Sequence, residues 1–202
     1  EGWAGNPAVA AVTAAWPEDL NAADLIEVEL SVATDPSDAH LLAVLRLLRA
    51  LGCPAPAPCT TAVGAGSLAV IARQGLRTWS LLISRTAGPE HAHVSVSGDL
   101  VQVELDLPSP VTAEPAIARR IDTRREERLD TRYETGHRVA WRRARLAVET
   151  PTDSDDLAGF AADVRAARTI INAPTRKDPR EPHRHLRPAL LGTRRAVAGP
   201  AG

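Results

Sequence analysis

Between Ser67 and Leu107 apolar and polar positions alternate. Ile83, Val94, Val96, Val101, Val103, Leu105 and Leu107 fall on every second position, with Ser84, Ser95, Gln102, Glu104 and Asp106 between them. Gly88-Pro89 and Ser97-Gly98-Asp99 interrupt the run. A period of two bounded by Gly, Pro and Asp predicts antiparallel strands with one face buried and one wet. The segments 68–73, 76–85, 91–97 and 100–107 are read as a meander of three or four strands. Ile26, Val28, Leu30 and Val32 share one parity, with Glu27, Glu29 and Ser31 on the other, which predicts a further half-buried strand.

Helical spacing takes over elsewhere. Asn6-Pro7 reads as an N-cap with proline at the first helical position, and Pro17 ends that short helix at Trp16. Asp35-Pro36-Ser37-Asp38 opens a second helix over 36–51. Leu41, Leu42, Val44, Leu45, Leu47, Leu48 and Leu51 leave it little polar face beyond His40, Arg46 and Arg49. Such a helix is buried on most sides or lies at a subunit contact, which makes Leu41, Leu45 and Leu48 candidate partner-binding residues. Ile117, Ile121, Leu129 and Tyr133, spaced by multiples of four, predict a helix to about residue 128. Strands are expected after it, as far as Trp141. Thr152 and Asp155 precede a stripe of Leu157, Phe160, Ala161, Val164, Ala167 and Ile171, the pattern of an amphipathic helix. From Ala173 the chain carries five prolines and no sustained period, and reads as a flexible tail.

Together these elements predict an α+β domain over 1–172: a mostly antiparallel meander sheet with helices packed on one face. The Arg-rich segment 116–148 forms a sub-unit of it, and a basic Pro/Arg-rich tail over 173–202 follows.

Composition narrows the picture. The chain has 202 residues, enough to bury a core without metal or disulfide staples. Aromatics are only 3%, so that core is built from Ala, Val, Leu and Ile. No stretch approaches the roughly 18 apolar residues of a membrane helix, and none reads as a signal peptide. No membrane partner and a cytoplasmic location are therefore expected. Lys177 is the single lysine among 24 basic residues, the bias of a GC-rich bacterial genome. The chain opens at Glu1 and has no methionine. That reads as a trimmed piece, or as a chain from which methionine positions have dropped out. Cys53 and Cys59 flank Pro-Ala-Pro-Ala-Pro, which prefers polyproline II and holds them about 19 Å apart at about 3.1 Å per residue. A disulfide spans about 4.4–6.8 Å, so both thiols are expected to be reduced.

Charge is unevenly placed. Residues 1–110 carry five arginines against twelve acids (net −7), residues 111–172 twelve against eleven (net +1), and residues 173–202 seven basic against two acidic groups (net +5). An acidic body with a basic tail suggests electrostatic docking.

Three features bear on chemistry. His91 and His93 lie two apart, so on a strand both imidazoles face one way, with Glu90 near by. They are the candidate metal ligands, although a site needs further ligands and a solvent-facing hairpin end is the plainer reading. Gly64-Ala65-Gly66-Ser67 offers backbone amides to an anion but has no lysine; a tight turn explains it as well. Arg124, Arg128, Arg132, Arg142 and Arg143, with Trp141 among them, are candidate partner-binding residues, in the pattern that single-stranded nucleic acid asks for. Asp122, Glu126, Glu127, Asp130 and Glu134 interleave them, as in a solvated, ion-paired surface. No nucleophile motif and no cofactor motif stand out.

The resulting expectation is a non-catalytic interaction or assembly protein, self-associating or binding a protein partner through the apolar helix and the Arg-rich segment. A nucleic-acid-binding protein is the alternative, and a small metalloenzyme at His91 and His93 the third.

Overall fold

The strand around which the sheet is built comes early. The computed structural model describes residues 2–53, 59–130, 133–149 and 156–173. In it β1 (Leu25–Val32) buries Ile26, Val28, Leu30 and Val32 and turns Glu27 and Glu29 to solvent. β1 pairs in parallel with β4 (Arg77–Arg85) on one side and antiparallel with β5 (His91–Ser97) on the other. β2 (Cys59–Gly64) and β3 (Ser67–Gln74) extend the sheet beyond β4. β6 (Val101–Pro108), β7 (Ile117–Asp122) and β8 (Glu126–Arg128) extend it beyond β5. The order is β2-β3-β4-β1-β5-β6-β7-β8.

This corrects the mostly antiparallel meander. The sheet is mixed and eight-stranded, and β4 and β5, consecutive in the chain, are held apart by β1. Alternation reveals which residues face the core but not which strand lies alongside. Placing β1 centrally pairs both of its edges, which satisfies its backbone donors and acceptors. Running parallel to β4, it needs a long crossover, which the next helix and the β2–β3 hairpin supply. Trp79, Leu81 and Ile83 of β4, Ala92, Val94 and Val96 of β5, and Val103, Leu105 and Leu107 of β6 join its apolar face in one core.

α1 (Pro7–Ala15) starts as its sequence asks, with Asn6 Oδ1 accepting from the Ala8 N–H at 2.9 Å. The helix stops at Trp16 as expected, and Pro17 then opens α2 (Pro17–Ala22), since proline suits the first helical position. α3 (Asp38–Ala50) begins two residues later than expected, because Ser37 is its N-cap and closes a capping box with His40. Leu41, Leu45 and Leu48, expected to meet a partner, are 1%, 2% and 0% exposed. This chain's own core already fills that face.

Between 117 and 149 the expected order is reversed, with β7 and β8 first and a helix, α4 (Gly136–Glu149), afterwards. Ile117 and Ile121 lie four apart, a spacing that fits one face of a strand as well as of a helix. Asp122 decides for the strands. Its Oδ1 accepts from the N–H groups of Arg124 (2.8 Å) and Arg125 (3.0 Å) and folds β7 back onto β8. Thr135 Oγ1 then accepts from the Arg138 N–H and starts α4.

Those backbone N–H groups, with the Arg120 side chain, hold the Asp122 carboxyl down to about 2. A depressed carboxylate contributes stability above its unfolded pKa, and the contribution is lost as pH falls through the folded one. The thermal midpoint of Asp122→Asn should therefore lie below the parent's above pH 4, with the gap closing towards pH 2. A gap that stayed constant with pH would contradict this.

α5 (Asp156–Ile171) is turned relative to its apolar stripe. Ala167 and Ile170 are buried, whereas Leu157 and Phe160 are 82% and 48% exposed. An ion pair sets the face. Asp163, also buried, accepts from Arg49 Nε of α3 through both oxygens at 3.2 Å, and Gly159 leaves room for the guanidinium where a Cβ would collide with it. Arg132, residues 54–58 and 150–155, and the predicted tail beyond 173 lie outside the described residues.

Candidate functional site

Because β1 and β4 run in the same direction, their carboxyl ends, Val32 and Arg85, meet at one edge of the sheet. The chain leaves β1 there to enter α3, so the amino end of that helix faces the same edge. Ligands of open α/β sheets bind outside the carboxyl ends of parallel strands, at the point where the chain changes direction. A cleft of about 520 Å³ lies at this edge. Asp35, Ser37 and Asp38 line it from the α3 entry, Gly64 to Leu68 from the β2–β3 hairpin, Arg85 from β4, and Ile170 and Ile171 from α5.

The polar rim is organised by one ion pair, Arg85 Nη1 to Asp35 Oδ1 at 2.9 Å, with both side chains more than half exposed. The pair lies over Gly66, whose φ of +78° and missing side chain let the turn come close. A Cβ there would stand 3.5 Å from Arg85 Cβ and 3.6 Å from Asp35 Oδ1. The Arg85 N–H donates to Gly66 O at 2.8 Å and ties the turn to β4. Gly64-Ala65-Gly66-Ser67 is thus the turn of a hairpin. His40 stands one turn into α3, with its Nδ1 accepting from the Ser37 N–H at 3.1 Å. The opposite wall is apolar, formed by Leu41, Val63, Leu68, Ile170 and Ile171. Carboxylates, a guanidinium and a hydroxyl facing an aliphatic wall can hydrogen-bond a polyhydroxylated ring and pack against its C–H face.

The other candidates lie elsewhere. His91 and His93 sit on the open face of β5. His93 Nδ1 is paired with Asp106 of β6 at 2.6 Å, while His91 Nδ1 lies 3.4 Å from Pro89 O. Among the described residues no group of three His, Cys, Asp or Glu is placed to hold a metal. Burial pushes the Cys53 thiol up to about 11, and Cys59 is also raised by burial. In the Arg-rich segment, Arg119 pairs with Glu104, and Arg120 with both Asp19 and Asp122 at 2.7 Å. Arg128 pairs with Glu126 at 2.7 Å and Arg142 with Glu134. Arg124, through its N–H, shapes the β7–β8 turn. Trp141 is 78% exposed on α4, the helix that also carries Arg142 and Arg143. The structure brings none of these residues to the cleft. Sequence reasoning noticed Asp35, Ser37 and Asp38 only as a helix start and passed over Arg85. What could have flagged them is the cap residues following directly on the securest strand.

No protein-family model and no curated protein sequence matches the chain. Solved structures do. KijD10, a 3-ketoreductase from Actinomadura kijaniata solved with TDP-benzene and NADP, matches 88% of this chain at a TM-score of 0.66 and 8% identity. UDP-N-acetylglucosamine 3-dehydrogenase GnnA from Acidithiobacillus ferrooxidans matches 75% of it at 0.55 and 13%. An oxidoreductase from Magnetospirillum magnetotacticum matches 83% at 0.61 and 15%. At these identities the likeness is one of fold. The chain spans 54–62% of the length of these proteins. Against the expectation of a non-catalytic assembly or nucleic-acid-binding protein, KijD10 and GnnA, which share the architecture, are a 3-ketoreductase and a dehydrogenase.

The NADP of KijD10 raises the question of where a dinucleotide would sit in this chain. Pyrophosphate is held by a glycine-rich turn between a strand and the helix that follows it. The turn from β1 to α3 is Ala33-Thr34-Asp35-Pro36-Ser37, without glycine and with the carboxylates of Asp35 and Asp38 beside it. The glycine turn at 64–66 joins two strands. Among the described residues, then, neither turn fits the cofactor's pyrophosphate. No helix among them is long and apolar enough to cross a membrane.

Proposed function

We propose that this chain supplies the substrate-holding part of an NADP-linked oxidoreductase acting on a sugar nucleotide. The observation that carries this reading is the fold, an eight-stranded mixed sheet in a chain that KijD10 matches over 88% of its length. The class of substrate comes from GnnA, named for UDP-N-acetylglucosamine. The cleft supports it by offering hydroxyl-binding groups beside an aliphatic wall. Oxidation or reduction at a sugar carbon also needs a proton carrier, and His40, tied to the cleft residue Ser37, is the nearest imidazole in the sequence. A cytoplasmic location, where NADP is available, fits this reading.

Isothermal titration of the purified chain with UDP-N-acetylglucosamine, and separately with NADPH, tests it. Saturable binding of the sugar nucleotide is expected, in the range of about 1 μM to 1 mM typical of enzyme substrates. No binding of NADPH by these residues is expected. NADPH binding without sugar-nucleotide binding would overturn the reading.

A further inference from the structure

The cleft is charged in a way that discriminates between the two ends of such a substrate. Among the described residues its one cation, Arg85, is already neutralised by Asp35 at 2.9 Å, and Asp38 adds a second carboxylate with no counter-charge among the described lining residues. The amino end of α3, which otherwise attracts anions, is occupied by the Ser37–His40 capping box. A diphosphate brought here would meet a net negative rim and a helix end already closed. A neutral ring would not.

We infer that this cleft takes the sugar ring of the substrate and leaves the diphosphate outside. The inference rests on the sugar-nucleotide reading above and adds which end of the molecule enters, and on which residues. The Asp35–Arg85 pair presents acceptors and donors side by side, the arrangement that adjacent ring hydroxyls match: the carboxylate oxygens accept from O–H groups while the guanidinium N–H groups donate to their oxygens. Val63, Leu68 and Ile171, the accessible members of the apolar lining, form the aliphatic wall against which the C–H face of a pyranose packs. A volume of about 520 Å³ lies within the range of small-molecule sites, about 300–1,000 Å³. Asp35 and Arg85 are 68% and 55% exposed, so substituting them leaves the core intact.

The test compares three probes on the intact chain by NMR titration: the methyl glycoside of N-acetylglucosamine, UDP, and UDP-N-acetylglucosamine. Asp35→Asn should weaken the glycoside and UDP-N-acetylglucosamine about tenfold, because the ring loses an ionic acceptor, and should not strengthen UDP. If the diphosphate sits here instead, the same substitution frees Arg85 and removes a negative charge, so UDP binds more tightly and the glycoside is unaffected. That opposite sign overturns the inference. Arg85→Gln separates the cases again: loss confined to glycoside-containing ligands supports ring binding, and equal loss for UDP contradicts it. Should the unsubstituted chain fail to bind UDP-N-acetylglucosamine, the sugar-nucleotide reading falls and takes the inference with it. Binding that Asp35→Asn leaves unchanged removes the inference alone.

Discussion

Trp79→Ala is expected to lower the unfolding free energy by about 3–5 kcal/mol, as large-to-small substitutions of buried aromatics do. The side chain is 0% exposed on β4 and faces the core between Ile26 of β1 and Ala72 of β3 in register. With domains stable by only about 5–15 kcal/mol, this single change removes a large share of the total. Trp79→Phe should be much milder, about 1–2 kcal/mol, and for a specific reason. The indole Nε1 is buried without a hydrogen-bond partner among the described residues, so phenylalanine leaves a smaller void than alanine and also removes an unsatisfied donor. Urea denaturation measures both, with the slope checking that the transition stays two-state. A loss under about 1 kcal/mol for the alanine variant, outside the range for buried aromatics, would show that the sheet is not packed around this residue.

Arg49→Ala should come close behind. Asp163 is 5% exposed and meets Arg49 Nε at 3.2 Å through both oxygens and Arg49 Nη2 at 3.1 Å through Oδ2, so removing the arginine strands a buried carboxylate. Breaking a buried pair from one side costs about 3–5 kcal/mol; Arg49 itself is 36% exposed, which places the loss near the lower figure. The apolar double replacement Arg49→Met with Asp163→Leu is expected to be nearly neutral, since it removes both charges at once. The pair also matters for the site, because α5 contributes Ile170 and Ile171 to the cleft. Arg49→Ala should thus weaken sugar-nucleotide binding as well as stability, while the double replacement keeps both. If the double replacement is as unstable as the single one, α5 is held by something other than this pair.

The strands at 25–32, 77–85, 91–97 and 101–108 could be read from their alternation, because a half-buried strand writes its two faces into every second residue. Their neighbours could not. Nothing in the parity of Ile26, Val28 and Leu30 says that β1 lies between β4 and β5, since pairing depends on a crossover through α3 and a hairpin. The swap between 117 and 149 has a local cause: the spacing of Ile117 and Ile121 is shared by helix and strand, and the deciding contact is the Asp122 turn. α5 was misplaced in rotation because an ion pair with Arg49, distant in sequence, outweighed the apolar stripe of Leu157 and Phe160. The candidate site was legible only in fragments. Asp35, Ser37 and Asp38 announce a helix start, but Arg85 comes from another strand and Ile170 from another helix. Only the parallel pairing of β1 with β4 brings them to one edge. The Arg-rich segment misled for the converse reason, since several of its guanidinium groups are engaged by carboxylates that the fold places beside them.

The most direct test of the central claim is an amide ¹H–¹⁵N NMR map of the intact chain titrated with UDP-N-acetylglucosamine. Saturating shifts are predicted at Asp35, Ser37, Asp38, Gly66, Arg85 and Ile171, the rim and wall of the cleft at the carboxyl edge of β1 and β4. Shifts confined to the open face of the sheet, at Glu27, Glu29, His93 and Asp106, or no shifts at all, would contradict it.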